Sequence, residues 1–249
     1  MNECSFAVRH GPRKGKAVQN YSSRALDVKS LVTDEALVRE RRAQIVAGAV
    51  KLFSEKGYDQ TTVQQVAKKA GVSTGLIYQY VHDKEDLLLL SILDVVDSYA
   101  REIPAALEGV EQPLDRCCAA FAAYCRVVDA RRDATLLAYR STNSLPPKRQ
   151  QLIKDAELET NELIGACIQD CVNQGLFRDV DIGLATYQLV MYAHAWALKH
   201  WHFVKRIDLE VYISRGLDLF LHGLLTDKGH KHLQRQTTDN GKTVLPRKR

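Results

Sequence analysis

The amino-acid sequence predicts an all-α protein with a small N-terminal helix-turn-helix head on a larger helical body. Apolar residues recur at helical spacing through most of the chain, and no stretch shows the sustained alternation of apolar and polar residues that is typical of strands. Capping residues and glycines divide the first part into three short helices. We therefore expect a disordered basic tail (1–36), the head (37–82), the body (83–226) and a second disordered basic tail (227–249).

The head begins with a helix in the stretch "ALVRERRAQIVAGAVKLFSEKG", whose apolar face carries Ile45, Ala49, Leu52 and Phe53. Thr62 and Gln65 have the spacing of a capping box for the second helix. Gly71 is placed to end that helix, and Ser73 can cap the third. The short turn between them indicates a helix-turn-helix.

The body is predicted to contain six longer helices, the first of which is capped by Asp83. Segments rich in Gly, Pro, Asp or Asn separate them. With 249 residues, the chain is long enough to bury a sizeable core. The expected helices are 83–107, 113–129, 133–142, 146–174, 181–205 and 208–225.

The net charge of +5 is concentrated in the two ends of the chain, which are rich in Lys and Arg. Loose basic ends suit a polyanion such as DNA, but they can equally serve only as solubilising segments. No apolar run approaches the roughly 20 residues that cross a bilayer, and the first residues lack the apolar stretch of a secretory signal. We therefore expect a cytoplasmic protein without membrane contact, whose thiols are reduced.

The third short helix carries groups that suit the major groove of DNA. Gly75 lets the backbone approach closely, Leu76 can contact a thymine methyl group, and Gln79 can pair with adenine. Capping signals alone also fit an ordinary helical hairpin whose tyrosines pack. The predicted DNA-binding residues are Thr62, Ser73, Thr74, Gly75, Leu76, Tyr78, Gln79, Tyr80 and Lys84.

The stretch "GYDQTTVQQVAKKAGVSTGLIYQYVHDKEDLL" resembles the DNA-binding head of the tetracycline-repressor (TetR/AcrR) family. The resemblance covers about residues 37–90. It departs from the family at Thr74, where relatives often have lysine, and at Val81, where an aromatic residue usually ends the recognition helix. The matching residues are Phe53, Gly57, Tyr58, Thr62, Val66, Ala67, Ala70, Gly71, Val72, Gly75, Tyr78, Lys84 and Leu87.

The resemblance implies a homodimeric, ligand-responsive repressor that binds a palindromic operator in double-stranded DNA. In this family the last two body helices form a four-helix bundle between subunits, which here corresponds to about 181–205 and 208–225. Small residues on the first of these permit close helix approach, and the second carries an apolar stripe that also suits an intrachain core. These residues are Ala185, Ala193, Ala195 and Ala197, and Ile213, Leu217, Phe220, Leu221 and Leu224.

A ligand in the body is expected to contact aromatic residues and one arginine, which suits an anion with an apolar part. The stretches "LLAYRSTNSLPPKRQQLI" and "WALKHW" resemble family members that sense acyl-CoA thioesters of fatty or aromatic acids and control catabolic genes. Core packing or a surface ion pair is the alternative for each residue. The predicted effector-binding residues are Tyr124, Tyr139, Arg140, Asn143, Tyr187, His194 and Trp201.

The six cysteines include Cys167 and Cys171, which lie one helical turn apart and could bind a metal or be oxidised. Burial as small hydrophobic residues is the other interpretation, since no histidine has zinc-finger spacing. We predict no cofactor, no metal and no catalysis, because the phosphate-binding, nucleophile-elbow and HExxH motifs are absent from the sequence. The alternatives are a thiol-based redox regulator and a helical enzyme that retains a DNA-binding head.

Overall fold

The computed structural model describes residue 28 and residues 30–239, and within them the expectation of an all-α fold is confirmed. The one pairing of β type in this part of the chain is an isolated bridge between Phe177 and Leu225. A 3₁₀ turn, Thr142–Ser144, follows the sixth helix. In chain order the helices are α1 (Glu35–Lys56), α2 (Val63–Ala70), α3 (Thr74–Tyr80), α4 (Lys84–Leu107), α5 (Pro113–Ala130), α6 (Arg132–Ser141), α7 (Pro147–Asn173), α8 (Ile182–Leu198), α9 (His200–Phe203), α10 (Leu209–Leu224) and α11 (Asp227–Asp239).

The ends of the head helices follow the expected capping chemistry. The Thr62 hydroxyl accepts a bond from the Gln65 backbone N–H (3.3 Å), and the Gln65 side chain accepts one from the Thr62 N–H (3.2 Å), which completes the capping box. Gly71 ends α2 with a positive φ of 70°. Asp83 caps α4 by accepting a bond from the Asp86 N–H at 2.7 Å. Local sequence thus fixes the short turns that orient α3.

The core of the head continues into the body. The apolar face of α1 is buried as expected and packs on α2 and α3. The same apolar cluster, which we call the head core, includes Leu137 of α6, Ile153 of α7 and the α4 residues Leu87, Leu88, Leu89, Leu90, Ile92, Leu93 and Val96. A second cluster surrounds α5 and is completed by α7, α8 and α10. The head is therefore packed directly against the helices of the body.

Two expected segments differ from the structure. The helix expected over 181–205 breaks at Lys199, so that α8 and the four-residue α9 are separate. The segment 227–249, for which we expected disorder, contains α11. This helix is held by the Lys228 ammonium group, which donates to the Gln174 carbonyl at 2.7 Å, and by Leu233, which is buried. These few anchoring contacts offset the low apolar content on which the expectation rested.

The remaining tail predictions, for residues 1–27, 29 and 240–249, fall on residues that the structure does not describe. Within the part that it does describe, no helix has both the length and the apolar character needed to span a lipid bilayer.

Candidate DNA-binding surface and effector cavity

The recognition helix α3 presents a polar face outward. Ser73 caps it by accepting a bond from the Leu76 N–H at 3.1 Å. Tyr78 is 45% exposed, and Gln79 is exposed beside it. A Cβ added to Gly75 would meet nothing within 4 Å, so this glycine does not serve internal packing. The predicted residues at the surface of the head are Thr62, Ser73, Gly75, Tyr78 and Gln79, with Thr74, Leu76 and Lys84 partly buried.

Tyr80 does not belong to this surface, and its prediction as a DNA contact is wrong. Its side chain is only 3% exposed. Tyr80 lies three residues after Ile77, which is fully buried, and this spacing puts both side chains on the inner face of a seven-residue helix. Tyr80 therefore anchors α3 in the head core.

Lys84 is held by contacts within the chain. Its ammonium group lies 4.3 Å from the centre of the Tyr58 ring and donates to the Asp59 carbonyl at 3.2 Å. A DNA phosphate next to α4 would have to share or replace the carbonyl contact. The sequence indicated the lysine but did not predict its contacts with Tyr58 and Asp59.

Arg42 is a residue that the sequence interpretation missed. It is 4% exposed, and its guanidinium donates to the Tyr80 carbonyl (3.0 Å) and the Val28 carbonyl (2.5 Å). Tyr80 is the last residue of α3, so Arg42 ties the end of the recognition helix to α1. An arginine three residues before Ile45, on the apolar face of α1, was the signal that could have revealed it.

A cavity of about 380 Å³ lies in the body between α4, α5, α6, α7 and α8. Of the predicted effector-binding residues, Tyr124, Tyr139 and His194 line it. They come from three helices, and both tyrosine hydroxyls contact the imidazole ring of His194. Its Nδ1 atom lies 2.8 Å from the Tyr139 hydroxyl, and its Nε2 atom lies 3.1 Å from the Tyr124 hydroxyl.

Several lining residues were not predicted. Tyr99 stacks on Tyr124 with ring centres 4.0 Å apart, and its hydroxyl lies 3.3 Å from Nε2 of His194. The rest of the wall is largely apolar, with a polar group of side chains from α7. The lining residues outside the prediction include Ile92, Val95, Val96, Tyr99, Thr135, Ala138, Thr142, Ile153, Lys154, Glu157, Thr160, Asn161 and Met191.

Four predicted effector residues do not line the cavity. Arg140 and Asn143 are exposed. Trp201 is 67% exposed because the break at Lys199 ends α8, so its seven-residue spacing from His194 does not keep it on that helix. Tyr187 is 40% exposed, two turns away from His194 toward the start of α8.

Burial disfavours the charged forms of the titratable groups in the cavity. It lowers the pKa of His194 to about 4, and it raises the pKa of Tyr124 and Tyr139. Burial also raises the pKa of the Glu157 carboxyl. The arrangement offers hydrogen bonds and apolar contacts, rather than the arginine charge that the sequence suggested.

Exposed apolar side chains lie on α8 and on α10. Leu184, Tyr187 and Met191 follow one another at helical spacing and are 60%, 40% and 46% exposed, and Leu219 on α10 is 69% exposed. We call these four residues the α8–α10 face. The residues expected to make intersubunit contacts mostly face inward instead: Ala185, Ala193, Ala197, Ile213, Leu217 and Leu221 are buried within the chain, and Ala195, Phe220 and Leu224 are partly buried.

The described cysteines are all buried as free thiols between helices. Cys117 makes a hydrogen bond with Cys171, and this bond and burial raise the pKa of the Cys117 thiol well above its ordinary value. Burial raises the pKa of Cys118 to about 12 and that of Cys167 to about 11. Within the described residues, no group of three His, Cys, Asp or Glu side chains is placed to hold a metal ion. Cys4 lies outside the described residues.

Comparison with known proteins identifies both parts of the chain. Residues 45–90 match the family of bacterial regulatory proteins described as the tetR family, and residues 110–202 match the tetracyclin repressor-like C-terminal domain. The transcriptional regulator HbdR of Aromatoleum sp. (strain CIB) is 54% identical over 207 residues, which cover 83% of this chain and 90% of HbdR.

Solved structures share the fold. PfmR of Thermus thermophilus, a TetR-family regulator, has a TM-score of 0.64 and 25% identity, covering 72% of this chain and 97% of PfmR. AibR, solved in complex with isovaleryl coenzyme A and operator DNA, has a TM-score of 0.62 and 16% identity, covering 72% of this chain and 97% of AibR. With the helix-turn-helix head, the helical body and these relatives, the chain belongs to the TetR family of transcriptional regulators.

Proposed function

We propose that this regulator binds a palindromic operator as a homodimer and represses transcription until a small organic effector occupies the cavity. The proposed effector is an acyl-CoA thioester of a fatty or aromatic acid. The observation that carries this proposal is structural continuity: Ile92, Val96 and Ile153 line the cavity and also belong to the head core. A ligand against these residues acts on the packing that positions the head.

The surface of α3 supports DNA binding. Gln79 has an amide that can pair with adenine, and Tyr78 has a hydroxyl that can reach a phosphate. The Ser73 hydroxyl and the exposed Thr62 lie at the starts of α3 and α2, where helix N–H groups favour phosphate. We propose Thr62, Ser73, Thr74, Gly75, Leu76, Tyr78, Gln79 and Lys84 as the DNA-binding residues.

The α8–α10 face supports the homodimer. It places large apolar side chains in solvent, three of them along one stripe of α8, which is the usual mark of a protein contact surface. A twofold dimer through this face sets a fixed distance between the two recognition helices, as a palindromic operator requires. Tyr187, which we predicted as an effector contact, belongs to this face.

The size and chemistry of the cavity support an acyl effector. A volume of about 380 Å³ with mainly apolar walls suits an acyl chain or an aromatic ring, whereas the nucleotide of coenzyme A would remain outside. Lys154 is an exposed cation of the lining and can meet a phosphate there. AibR, which shares the fold, was solved in complex with isovaleryl coenzyme A and operator DNA, and this supports an acyl-CoA as the class of ligand.

Besides α4, two helices connect the cavity to the head. Helix α6 lines the cavity through Ala138 and Tyr139, and near its start the Asp133 carbonyl accepts a bond from the Ser54 hydroxyl of α1 at 3.3 Å. Helix α7 lines the cavity through Ile153 and packs with the head core. An effector changes operator affinity only if it binds one spacing of the heads more tightly than the other.

The test is to select duplexes from a random library with the full chain and to measure binding of the best duplex by fluorescence anisotropy. We expect an enriched palindrome whose affinity falls steeply with salt. Titration with isovaleryl-CoA, octanoyl-CoA and benzoyl-CoA should raise the operator Kd for at least one of them by about tenfold or more, and free coenzyme A should not. A library without an enriched sequence, or an affinity unchanged by all three thioesters, would overturn the proposal.

A substitution on α3 and a matched control elsewhere test whether α3 forms the DNA-binding surface. Gln79→Ala should weaken operator binding by about 5- to 100-fold and relax the preference for one base pair. Gln169→Ala is the matched control, since Gln169 is an exposed glutamine of α7 far along the chain from the head. Equal effects of the two substitutions would show that α3 does not read the operator.

A further inference from the structure

Asn161 stands out on the wall of the cavity because its amide has no hydrogen-bond partner. It is 4% exposed, and neither its Oδ1 nor its Nδ2 atom is paired within the described part of the chain. Burying an amide without partners costs free energy, since the hydrogen bonds to water are lost and not replaced. Such a group inside a cavity is suited to a ligand that restores both bonds.

Other polar groups of the wall are already occupied, apart from the single Thr135 hydroxyl of α6, which is also without a partner. The ring nitrogens of His194 are shared among the hydroxyls of Tyr99, Tyr124 and Tyr139, at 2.8 to 3.3 Å. The Thr160 hydroxyl donates to the Ala156 carbonyl at 2.9 Å. A ligand that bound these groups would have to break existing bonds, whereas one that bound Asn161 would only gain them.

The charges around the cavity disfavour an anion at this position. The Glu157 carboxyl belongs to the same wall, one helical turn before Asn161 on α7. The cation among the described lining residues is Lys154, whose side chain is exposed, and Arg140 lies outside the cavity. A cation could pair only with the Oδ1 atom of Asn161, so a neutral group that both donates and accepts fits this position best.

We propose that Asn161 determines effector specificity by pairing with a neutral group that both donates and accepts a hydrogen bond, such as a hydroxyl or an amide on the acyl part of the effector. The inference rests on the proposed function in one respect, namely that this cavity is the effector site. It adds that a plain hydrocarbon acyl group is the weaker ligand, because it leaves the Asn161 amide unpaired.

The test uses four small benzene derivatives and isothermal titration calorimetry on the full chain without DNA. Benzamide and benzyl alcohol are neutral and both donate and accept, acetophenone only accepts, and benzoate is an anion. We expect benzamide or benzyl alcohol to bind at least about tenfold more tightly than acetophenone and benzoate. The order of the first two distinguishes an amide from a hydroxyl.

The substitution Asn161→Leu keeps the size of the side chain and removes its polar atoms. It should abolish the preference while leaving the acetophenone affinity within about threefold, and it should not lower the thermal midpoint, because it removes an unpaired buried amide. Asn143→Leu, at an exposed position outside the cavity, should retain the preference. A preference that survives Asn161→Leu, equal binding of all four probes, or no binding of any of them would overturn the inference.

The result of this probe-binding test can be distinguished from the result of the operator-release test of the proposed function. The four probes need neither coenzyme A nor DNA, so an Asn161-dependent preference can hold even if no acyl-CoA releases the operator. Conversely, release by an acyl-CoA together with an unchanged preference in Asn161→Leu supports the proposed function and rejects the role of Asn161.

Discussion

Replacing Arg42 with methionine should destabilise the head, because this one buried side chain holds two backbone carbonyl groups. The guanidinium donates to the Tyr80 carbonyl at 3.0 Å and to the Val28 carbonyl at 2.5 Å, and the side chains of Val28 and Tyr80 are themselves 2% and 3% exposed. Methionine fills much of the same volume but donates no hydrogen bond. Arg42→Met therefore leaves both carbonyls without that donor.

The magnitude follows from two opposing effects. Each buried acceptor left unpaired costs about 1–3 kcal/mol, which gives about 2–6 kcal/mol for the pair. Removing a buried charge recovers part of this, because its desolvation cost disappears. We expect a net loss of about 2–4 kcal/mol, a large fraction of the roughly 5–15 kcal/mol that stabilises a typical domain.

The assay is urea unfolding followed by circular dichroism, together with operator binding under native conditions. Operator affinity should fall as well, since Tyr80 is the last residue of α3 and Arg42 fixes its position. Arg140→Met is the matched control at an exposed site and should change stability by less than about 0.5 kcal/mol. If Arg42→Met were as stable as this control, the two hydrogen bonds would not hold the head together.

Three further predictions test the dimer, the histidine and the thiols. Leu184→Asp should convert the dimer to monomer in sedimentation velocity, whereas Leu158→Asp, at an equally apolar but separate exposed site on α7, should not; a dimer that survives the first change would exclude the α8–α10 face. The pKa of His194 is lowered from 6.5 to about 4, so the unfolded chain binds a proton that the native chain does not, and the free energy of unfolding should fall by about 1.4 kcal/mol per pH unit as pH drops through this range. His194→Gln should remove that slope, and an unchanged slope would show that His194 is not buried in solution. In a Cys4→Ser chain, a chromogenic disulfide reagent should label none of the described cysteines before urea unfolds the protein; rapid labelling of the native state would restore the thiol-sensing alternative.

The head could be predicted from the sequence because its determinants are local. A cap or a helix stop depends on residues three or four positions apart, so Thr62, Gly71, Ser73 and Asp83 could be assigned without knowing the fold. Tyr80 was assigned to the wrong side because a helix of seven residues is too short for periodicity to define its inner face. That face is set by packing against α1, which only the structure shows.

The cavity was less predictable because it is formed where five helices meet. Residue type alone was sufficient to predict that Tyr124, Tyr139 and His194, on three of these helices, line the cavity. Asn161 lies within a helix of 27 residues that is mostly polar, and nothing in its neighbours distinguishes it from an exposed asparagine. Its inward position depends on how α7 crosses α4 and α5. The crossing angle between these helices cannot be read from the spacing of residues along the sequence.

The connection between cavity and head has a feature that packing alone does not explain. Arg149, near the start of α7, contacts Asp83 (3.5 Å), Glu85 (3.4 Å) and Asp86 at the start of α4. Asp86 is 2% exposed and also accepts a bond from the His82 N–H at 2.7 Å, in the link that follows α3.

One turn after Arg149, Ile153 lines the cavity. Successive turns of α7 therefore contact the start of α4 through Arg149, next to the link that follows α3, and line the cavity through Ile153. A buried carboxylate that loses its arginine is costly, so this contact does not stretch gradually but tends to be either made or broken. An effector that displaces α7 would thus shift the head between two discrete positions, and a change of that kind is what releasing a dimer from a fixed operator spacing requires.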